Sequence, residues 1–222
     1  MLAQIGYCSC RGLWVEEDRL RGLPVLRVCF DPDGFWAGQW LKQAGRLLSR
    51  RGIRRAVVPE GFEDWRVLNG YGVRSVETEE FLRAQADGIC LAALSRMGKA
   101  PQSSAVALRG AWADGYIVRS ACRLCARVRD VCISIPGGGE RLREHLRMEY
   151  GAAVRPDFSG VEAAVRFDPT AREDGGVVLD LFDPCPDLGA LQLRLEGEDC
   201  PIPVAAALWQ AGKAKWEDIE IS

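Results

Sequence analysis

The sequence predicts an α/β protein built around a mostly parallel sheet. Short apolar segments rich in Val, Ile and Leu alternate along the chain with amphipathic segments at helical spacing. In the second half the helical segments run for about 10 to 17 residues, long enough to connect parallel strands. The chain has 222 residues, of which 48% are hydrophobic and 27% charged, values that are typical of a folded globular protein.

The first part of the chain is expected to form a small α/β region over residues 1–85. Short strands come first, and they are followed by a helix that ends at Gly52. A long helix is then expected from Glu77-Thr78 to Met97-Gly98. The predicted segments are strands at 2–8, 12–17, 24–30, 53–58 and 73–76, and helices at 35–52, 62–68 and 77–98.

Residues 86–222 alternate more regularly between strand and helix patterns. Strands are expected at 105–109, 131–135, 152–154, 161–167, 177–182 and 191–195, and helices at 112–128, 140–150 and 203–211. Helices that alternate with strands in this way cover a mostly parallel sheet. We therefore expect a Rossmann-like domain over residues 86–222.

Composition argues against several classes of protein. The formal net charge is −2, and no aromatic residues are interleaved with the arginines, so nucleic acid is not favoured as a partner. No apolar run approaches the roughly 18 residues of a spanning helix. The chain has a single histidine, His145. A charge-relay triad could therefore use only His145, and a histidine-rich metal site cannot form within one chain. Because the first residues do not resemble a secretion signal, we expect a cytoplasmic protein.

The cysteines favour a reduced protein without a bound metal. Their number, nine, is odd, and the chain is long for a disulfide framework. Two local pairs have spacings that suggest metal binding, Cys8 with Cys10 and Cys122 with Cys125. The second pair lies in a pattern of helical spacing, however, which favours small buried apolar side chains over zinc ligands.

One basic stretch has no acidic residue within it. Its members are Lys42, Arg46, Arg50, Arg51, Arg54 and Arg55. The first three recur every four residues and share one face of the expected helix. Two interpretations stay open: a solvated helix face, or a surface for an anionic ligand or an acidic partner.

The first candidate ligand loop follows the strand at 105–109. Its residues Gly110, Trp112 and Gly115 occupy the three positions of the dinucleotide fingerprint G-x-G-x-x-G. The middle glycine, which normally lets the backbone approach a pyrophosphate, is replaced by tryptophan, whose indole would occupy that space. The acidic residue expected about 20 residues later is also misplaced, because Asp130 begins the next strand instead of ending it.

Residues 86–186 resemble the cofactor half of shikimate dehydrogenase-like proteins. The segments that carry the resemblance are ADGICLAAL, GKAPQSSAVALRG, VRDVCISI and VVLDLFDP. It implies a Rossmann-like fold, with Asp87-Gly88 at a helix start and Asp180 and Asp183-Pro184 on a late strand. The family's catalytic Lys-Asp pair has no matching motif before Lys99, so the resemblance implies a remodelled or lost active site. NAD or NADP is the cofactor that it suggests.

A second candidate loop opens the helix expected at 140–150. Gly137, Gly138 and Gly139 permit unusual backbone angles, and their amides could line an anion at the positive end of the helix dipole. Arg141 and Arg143 would add positive charge, whereas Glu140 would repel a phosphate. The lysine and hydroxyl residue of a Walker loop are missing, so a structural turn is the competing interpretation.

A third loop places Asp31 and Asp33 after an apolar strand, in the order D-x-D-G. This resembles the first motif of haloacid dehalogenase-like phosphohydrolases, which implies Asp31 as the nucleophile, Asp33 as the acid/base and magnesium as the metal. The other motifs of that family are not found. Turn formation, or capping of the next helix by either aspartate, explains the same residues.

Three functional hypotheses follow from these loops. The first is a non-catalytic binding or regulatory module for a small anionic ligand at Gly110–Gly115 and Gly137–Arg141. The second is an NAD(P)-dependent oxidoreductase with an atypical glycine loop, and the third is a magnesium-dependent phosphohydrolase. No feature of the sequence specifies the substrate or the oligomeric state.

Overall fold

A computed structural model describes residues 1–9, 11–152, 154–155, 160–169, 176–182 and 186–222. Cys10, Asp183 and Pro184, which were named above, lie outside the described residues, as does Cys185. The chain forms two compact units, Met1–Glu77 with Ile202–Lys215, and Thr78–Pro201 with Trp216–Ser222. These ranges differ from the predicted domains 1–85 and 86–222, because the helix near the carboxyl end returns to the first unit.

The strands of the described chain are β1 (Leu2–Tyr7), β2 (Trp14–Leu20), β3 (Leu23–Phe30), β4 (Arg55–Val57), β5 (Arg74–Ser75), β6 (Ala105–Arg109), β7 (Asp130–Ser134), β8 (Val154–Arg155), β9 (Ala163–Arg166), β10 (Val177–Asp180), β11 (Leu193–Leu195), β12 (Glu198–Asp199) and β13 (Ile219–Ile221). The α-helices are α1 (Ala37–Arg50), α2 (Trp65–Asn69), α3 (Glu79–Ala84), α4 (Ala86–Arg96), α5 (Gly115–Cys125), α6 (Gly139–Tyr150) and α7 (Ile202–Gln210).

The first unit is built on a sheet with the strand order β2-β3-β1-β4-β5. Strand β1 is parallel to β3 and β4, β4 is parallel to β5, and β2 pairs antiparallel with β3 at one edge. The apolar stripe of α1 packs on this sheet, as its spacing predicts. The buried core includes Ile5, Leu26, Val28, Leu41 and Leu48.

The second unit contains an entirely parallel sheet in the order β10-β9-β6-β7-β8. Numbered from β6 in chain order, this is the arrangement 3-2-1-4-5 of a Rossmann-like sheet. All five residues of β6 are buried, as expected of a central parallel strand that is covered on both faces. The α/β class and the parallel Rossmann-like sheet are therefore confirmed.

Several predicted elements differ in their bounds or in their place. The helix expected at 77–98 is divided into α3 and α4 at Gln85, where φ is −114° and ψ is 11°. Phe81 of α3 and Ile89 of α4 are both buried. The strand expected at 191–195 belongs to a separate antiparallel sheet of β12, β11 and β13. Among the described residues no helix is long and apolar enough to cross a membrane.

Candidate functional site

The two glycine loops meet at the carboxyl ends of β6 and β7. Trp112 and Gly137 form an isolated parallel bridge. The Ala113 amide donates to the Gly137 carbonyl at 2.8 Å, and the Gly137 amide donates to the Ala111 carbonyl at 2.9 Å. The candidate residues of both loops thus lie at one edge of the sheet, where ligands bind in open α/β folds.

The indole of Trp112 lies over Gly137. A Cβ atom at Gly137 would lie 2.6 Å from Cδ2 of the indole and 2.7 Å from the Ala111 carbonyl oxygen, so only glycine fits beneath the ring. The tryptophan side chain is nevertheless 75% exposed. The ring of Trp112 thus rests on the neighbouring glycine loop, and the expectation that it occupies the pyrophosphate space stays a prediction.

Asp114 occupies the amino-terminal end of α5. Its Oδ1 accepts hydrogen bonds from the amides of Tyr116 at 2.9 Å and Ile117 at 3.0 Å. The helix therefore begins at Gly115 and not at 112, because Asp114 is its N-cap. The amides that would face a phosphate in a dinucleotide-binding fold are bound by a carboxylate of the protein itself.

Asp168 closes the same loop from the neighbouring strand. It follows β9 and accepts a hydrogen bond from the Ala111 amide. Strands β6 and β9 lie on either side of the point where the strand order reverses, the usual ligand crevice of this fold. A pyrophosphate in its ordinary position would therefore compete with Asp168 as well as with Asp114.

Arg83 holds Asp114 in place from α3. Its guanidinium forms an ion pair with Asp114 Oδ2 and a second one, at 2.7 Å, with Glu79. It also lies over the Tyr116 ring at 6.0 Å and the Phe167 ring at 5.7 Å. Because its charge is shared between two carboxylates, Arg83 positions the cap of α5 instead of supplying a free positive charge.

Tyr116, at the start of α5, is held by Glu80. Its hydroxyl donates to Glu80 Oε1 at 2.8 Å. That hydrogen bond, together with desolvation and the charge of Glu80, raises the pKa of Tyr116 above its usual value. The hydroxyl therefore stays protonated and contributes a structural bond at neutral pH.

The glycines of the first loop have unequal roles. A Cβ at Gly110 would lie 2.8 Å from Ile117 Cδ1 and 3.3 Å from Asp168 Oδ2, so any larger residue there would make the buried Ile117 side chain shift. A Cβ at Gly115 would meet nothing within 4 Å. The third glycine of the fingerprint thus lacks the packing role that it has in dinucleotide-binding proteins.

The amino-terminal end of α6 differs from that of α5. Gly138 is the N-cap residue with a φ of 85°, and no described side chain caps this helix. Gly139 is buried, its amide donates to the Ile135 carbonyl at 3.1 Å, and a Cβ there would lie 3.0 Å from Ile135 Cβ. Arg141 is exposed in the first turn, whereas Arg143 donates to the Ile133 carbonyl at 3.2 Å. The amides of Glu140 and Arg141, in the first turn, can donate hydrogen bonds to an anion.

The described residues that carry the family resemblance form ion pairs or packing contacts within the protein. Asp87 lies at the start of α4 as expected, and its carboxylate is 3.3 Å from Arg123 Nη1. Gly88 makes room for Trp216, because a Cβ there would lie 2.6 Å from the indole. Asp180 forms a two-pronged ion pair with Arg166 of the adjacent strand.

Asp31 and Asp33 form a turn in the first unit. The Asp33 amide donates to Asp31 Oδ1 at 3.0 Å. Neither aspartate caps α1, because the N-cap residue is Trp36 and it makes no side-chain bond. Among the described residues no group of three or more His, Cys, Asp or Glu side chains is arranged to hold a metal ion.

The described cysteines are free thiols. Cys122 and Cys125 lie on α5, where both are half-buried and not fully buried as expected. Burial, and to a smaller extent the neighbouring Cys122, raise the pKa of Cys125 to about 11. His145 is exposed on α6 beside Tyr150.

The site residues that sequence reasoning missed are Asp168, Arg83 and Glu80. Asp168 immediately follows a predicted strand, so it could have been placed at the same sheet edge as Gly110 once the strand order was known. Arg83 and Glu80 lie on a helix that precedes the sheet, and no local motif connects them to the loop.

No protein-family model and no curated protein matches this sequence. Solved structures match at low similarity. L-tryptophan dehydrogenase from Nostoc punctiforme has 18% identity and a TM-score of 0.30, over 64% of this chain and 43% of that one. Quinate dehydrogenase from Corynebacterium glutamicum in complex with NAD has 16% identity and a TM-score of 0.29, over 76% and 70%.

The catalytic subunit of M. jannaschii aspartate transcarbamoylase has 12% identity and a TM-score of 0.35, over 94% of this chain and 83% of that one. For L-tryptophan dehydrogenase, by contrast, the present chain spans less than half of that protein's length. TM-scores of this size assign neither a family nor an activity, and the resemblance to shikimate dehydrogenase-like proteins stays a prediction.

Proposed function

We propose that this chain is a non-catalytic module that binds a small anionic ligand beside Trp112, at the amino-terminal end of α6. The observation that carries the proposal is the contrast between two adjacent helix starts. The amides of α5 are bound by Asp114, whereas no described side chain caps α6. The positive end of a helix dipole favours an anion at such an end.

The shape of the ligand follows from Trp112. Its exposed indole, held over Gly137, offers a flat apolar surface next to the start of α6. An aromatic ring can stack there while an attached phosphate or carboxylate meets the amides and Arg141. Glu140 lies in the same turn, so a single phosphate is favoured over a polyphosphate. A nucleoside monophosphate has both of these parts.

The NAD(P)-dependent oxidoreductase hypothesis requires the pyrophosphate to bind at the first glycine loop and the amino-terminal end of α5. A pyrophosphate would have to displace Asp168 from the Ala111 amide and Asp114 from α5. Each of these is a charge-assisted hydrogen bond, which costs roughly 1.5–3 kcal/mol to lose. NAD(P) therefore enters the following experiment as a competing ligand.

Calorimetric titration with AMP, inorganic phosphate and NADPH tests the proposal. We expect AMP to bind more tightly than phosphate, and NADPH to bind no more tightly than AMP. Removing the stacking surface with Trp112→Ala should weaken AMP by about 5- to 150-fold, since base stacking contributes roughly 1–3 kcal/mol. Arg141→Gln should lower the affinity for both AMP and inorganic phosphate.

Two matched variants serve as controls. Tyr150→Ala removes an exposed aromatic side chain at the far end of α6, and Arg127→Gln removes an exposed arginine beyond the end of α5. Both should leave AMP binding unchanged. The proposal is wrong if AMP does not bind, or if Trp112→Ala and Arg141→Gln bind it as the native chain does. NADPH binding far tighter than AMP would favour the oxidoreductase.

A further inference from the structure

The first unit contains a cavity of about 330 Å³ at the amino-terminal ends of its parallel strands. Part of its lining, the apolar wall, is formed by Leu2, Leu23, Ala207 and Ala211. Another part, the polar wall, is formed by Arg54, Arg55 and Gln210. Strands β1, β3 and β4 and helix α7 thus contribute to a pocket that has both apolar and cationic lining residues.

The arginines of this cavity carry charge that the described chain does not neutralise. Neither Arg54 nor Arg55 forms an ion pair with any described carboxylate. Arg55 Nη1 donates to Gln210 Oε1 at 2.6 Å, a neutral acceptor. Its remaining donors are available to an anion.

The polar wall is held in position by other contacts. Gln210 Nε2 donates to the Glu77 carbonyl at 2.8 Å, which orients the amide that accepts from Arg55. Arg54 lies against Gly72, where φ is 75° and a Cβ would lie only 2.7 Å from Nη1. Gly72 therefore makes room for the Arg54 guanidinium. Lys213 adds positive charge close by, since its Nζ lies 3.9 Å from a Cβ built at Gly22, next to Leu23.

The basic stretch of the sequence consequently divides into three parts. Lys42, Arg46 and Arg50 are exposed along α1. Arg51 forms an ion pair with Glu17. Arg54 and Arg55 line the cavity. The end of the stretch is thus the part that lines the cavity, whereas its helical part lies on an exposed helix face.

We infer that this cavity binds a small organic anion, a carboxylate or a phosphate monoester that carries a short apolar body. The guanidinium groups match the two oxygens of such an anion. The apolar wall would cover the body of the ligand. A volume of about 330 Å³ lies at the lower end of ligand pockets, roughly 300–1,000 Å³, which suits a small ligand. This site does not depend on the proposed site at α6.

Titrations with hexanoate, butyl phosphate, inorganic phosphate and neutral hexanamide, followed by calorimetry or ligand-observed NMR, test this inference. Hexanoate or butyl phosphate should bind, and hexanamide should not. Arg54→Gln and Arg55→Gln should each lower the affinity for the organic anion by about tenfold, the loss expected for charge-assisted hydrogen bonds. Ala211→Phe, a substitution at an exposed position of the apolar wall, should also weaken it.

Arg46→Gln, which removes an exposed charge of the same basic stretch, should leave the affinity unchanged. Thermal unfolding of each variant separates loss of binding from loss of fold. The inference is overturned if neither organic anion binds better than hexanamide, or if the Arg54 and Arg55 variants bind as the native chain does. It is also overturned if inorganic phosphate matches the organic anions and Ala211→Phe has no effect, because the apolar wall then plays no part.

Discussion

The carboxylate of Asp168 accepts a hydrogen bond from the backbone amide of Ala111, 57 residues earlier in the chain. That amide opens the loop which, in a dinucleotide-binding fold, lies against a pyrophosphate. Here the loop is closed by an acidic side chain from the neighbouring strand. A Rossmann-like strand order is thus combined with a first loop whose anion-binding groups are already occupied.

Replacing Asp168 tests this closure. Asp168→Ala should lower the free energy of unfolding by roughly 1.5–3 kcal/mol, because the partly buried Ala111 amide loses a charge-assisted acceptor. Urea denaturation measures the loss. Asp199→Ala removes an exposed carboxylate paired with Arg194, and it should cost less than about 1 kcal/mol. Equal losses for the two variants would contradict the role given to Asp168.

Asp114 has two functions that substitution can separate. Asp114→Asn keeps an oxygen that can cap α5 but loses the ion pair with Arg83. Asp114→Ala loses both, so it should be less stable than Asp114→Asn by about 0.5–2 kcal/mol, the value of an N-cap. Urea denaturation of the two variants side by side measures the difference. If the two variants were equally stable, Asp114 would not be acting as a cap.

The two outer glycines of the first loop should respond differently to alanine. Gly110→Ala places a Cβ 2.8 Å from Ile117 Cδ1, and overpacking of this kind costs roughly 1–3 kcal/mol. Gly115→Ala meets nothing within 4 Å and lies at the first position of α5, so it should be neutral or slightly stabilising. Thermal unfolding of both variants checks this. A large loss at Gly115 would show that the third glycine keeps its packing role after all.

The buried thiol of Cys90 should make the protein less stable at alkaline pH. Complete burial, with a smaller contribution from Asp87, raises its pKa to about 12 from the ordinary thiol value of 9.0. The unfolded thiol therefore ionises first, and the free energy of unfolding should fall as the pH rises from about 9 towards 12. Urea denaturation at about pH 8 and pH 10 measures this slope. Cys90→Ala should make it shallower, and an unchanged slope would remove Cys90 as its cause.

The parallel sheet was predictable from sequence because buried strands and amphipathic helices leave local periodic patterns. The strand at 105–109 is wholly apolar except for Arg109, and Asp114 directly precedes the apolar spacing of α5. Asp168 and Arg83 were not predictable in the same way, since their partners Ala111 and Asp114 lie 57 and 31 residues away. Nor does a local pattern indicate that Trp112 rests on Gly137, because that contact depends on the pairing of two loops.

The most direct measurement is a titration with AMP followed by the backbone amide and indole NMR signals. Binding at α6 predicts shifts of the Gly138, Gly139, Glu140 and Arg141 amides and of the Trp112 indole. The amides of Ala111, Tyr116 and Ile117, which Asp168 and Asp114 hold, should stay in place. Shifts confined to Ala111, Tyr116 and Ile117 would contradict the account, since they would show that the closed loop is the one that takes the ligand.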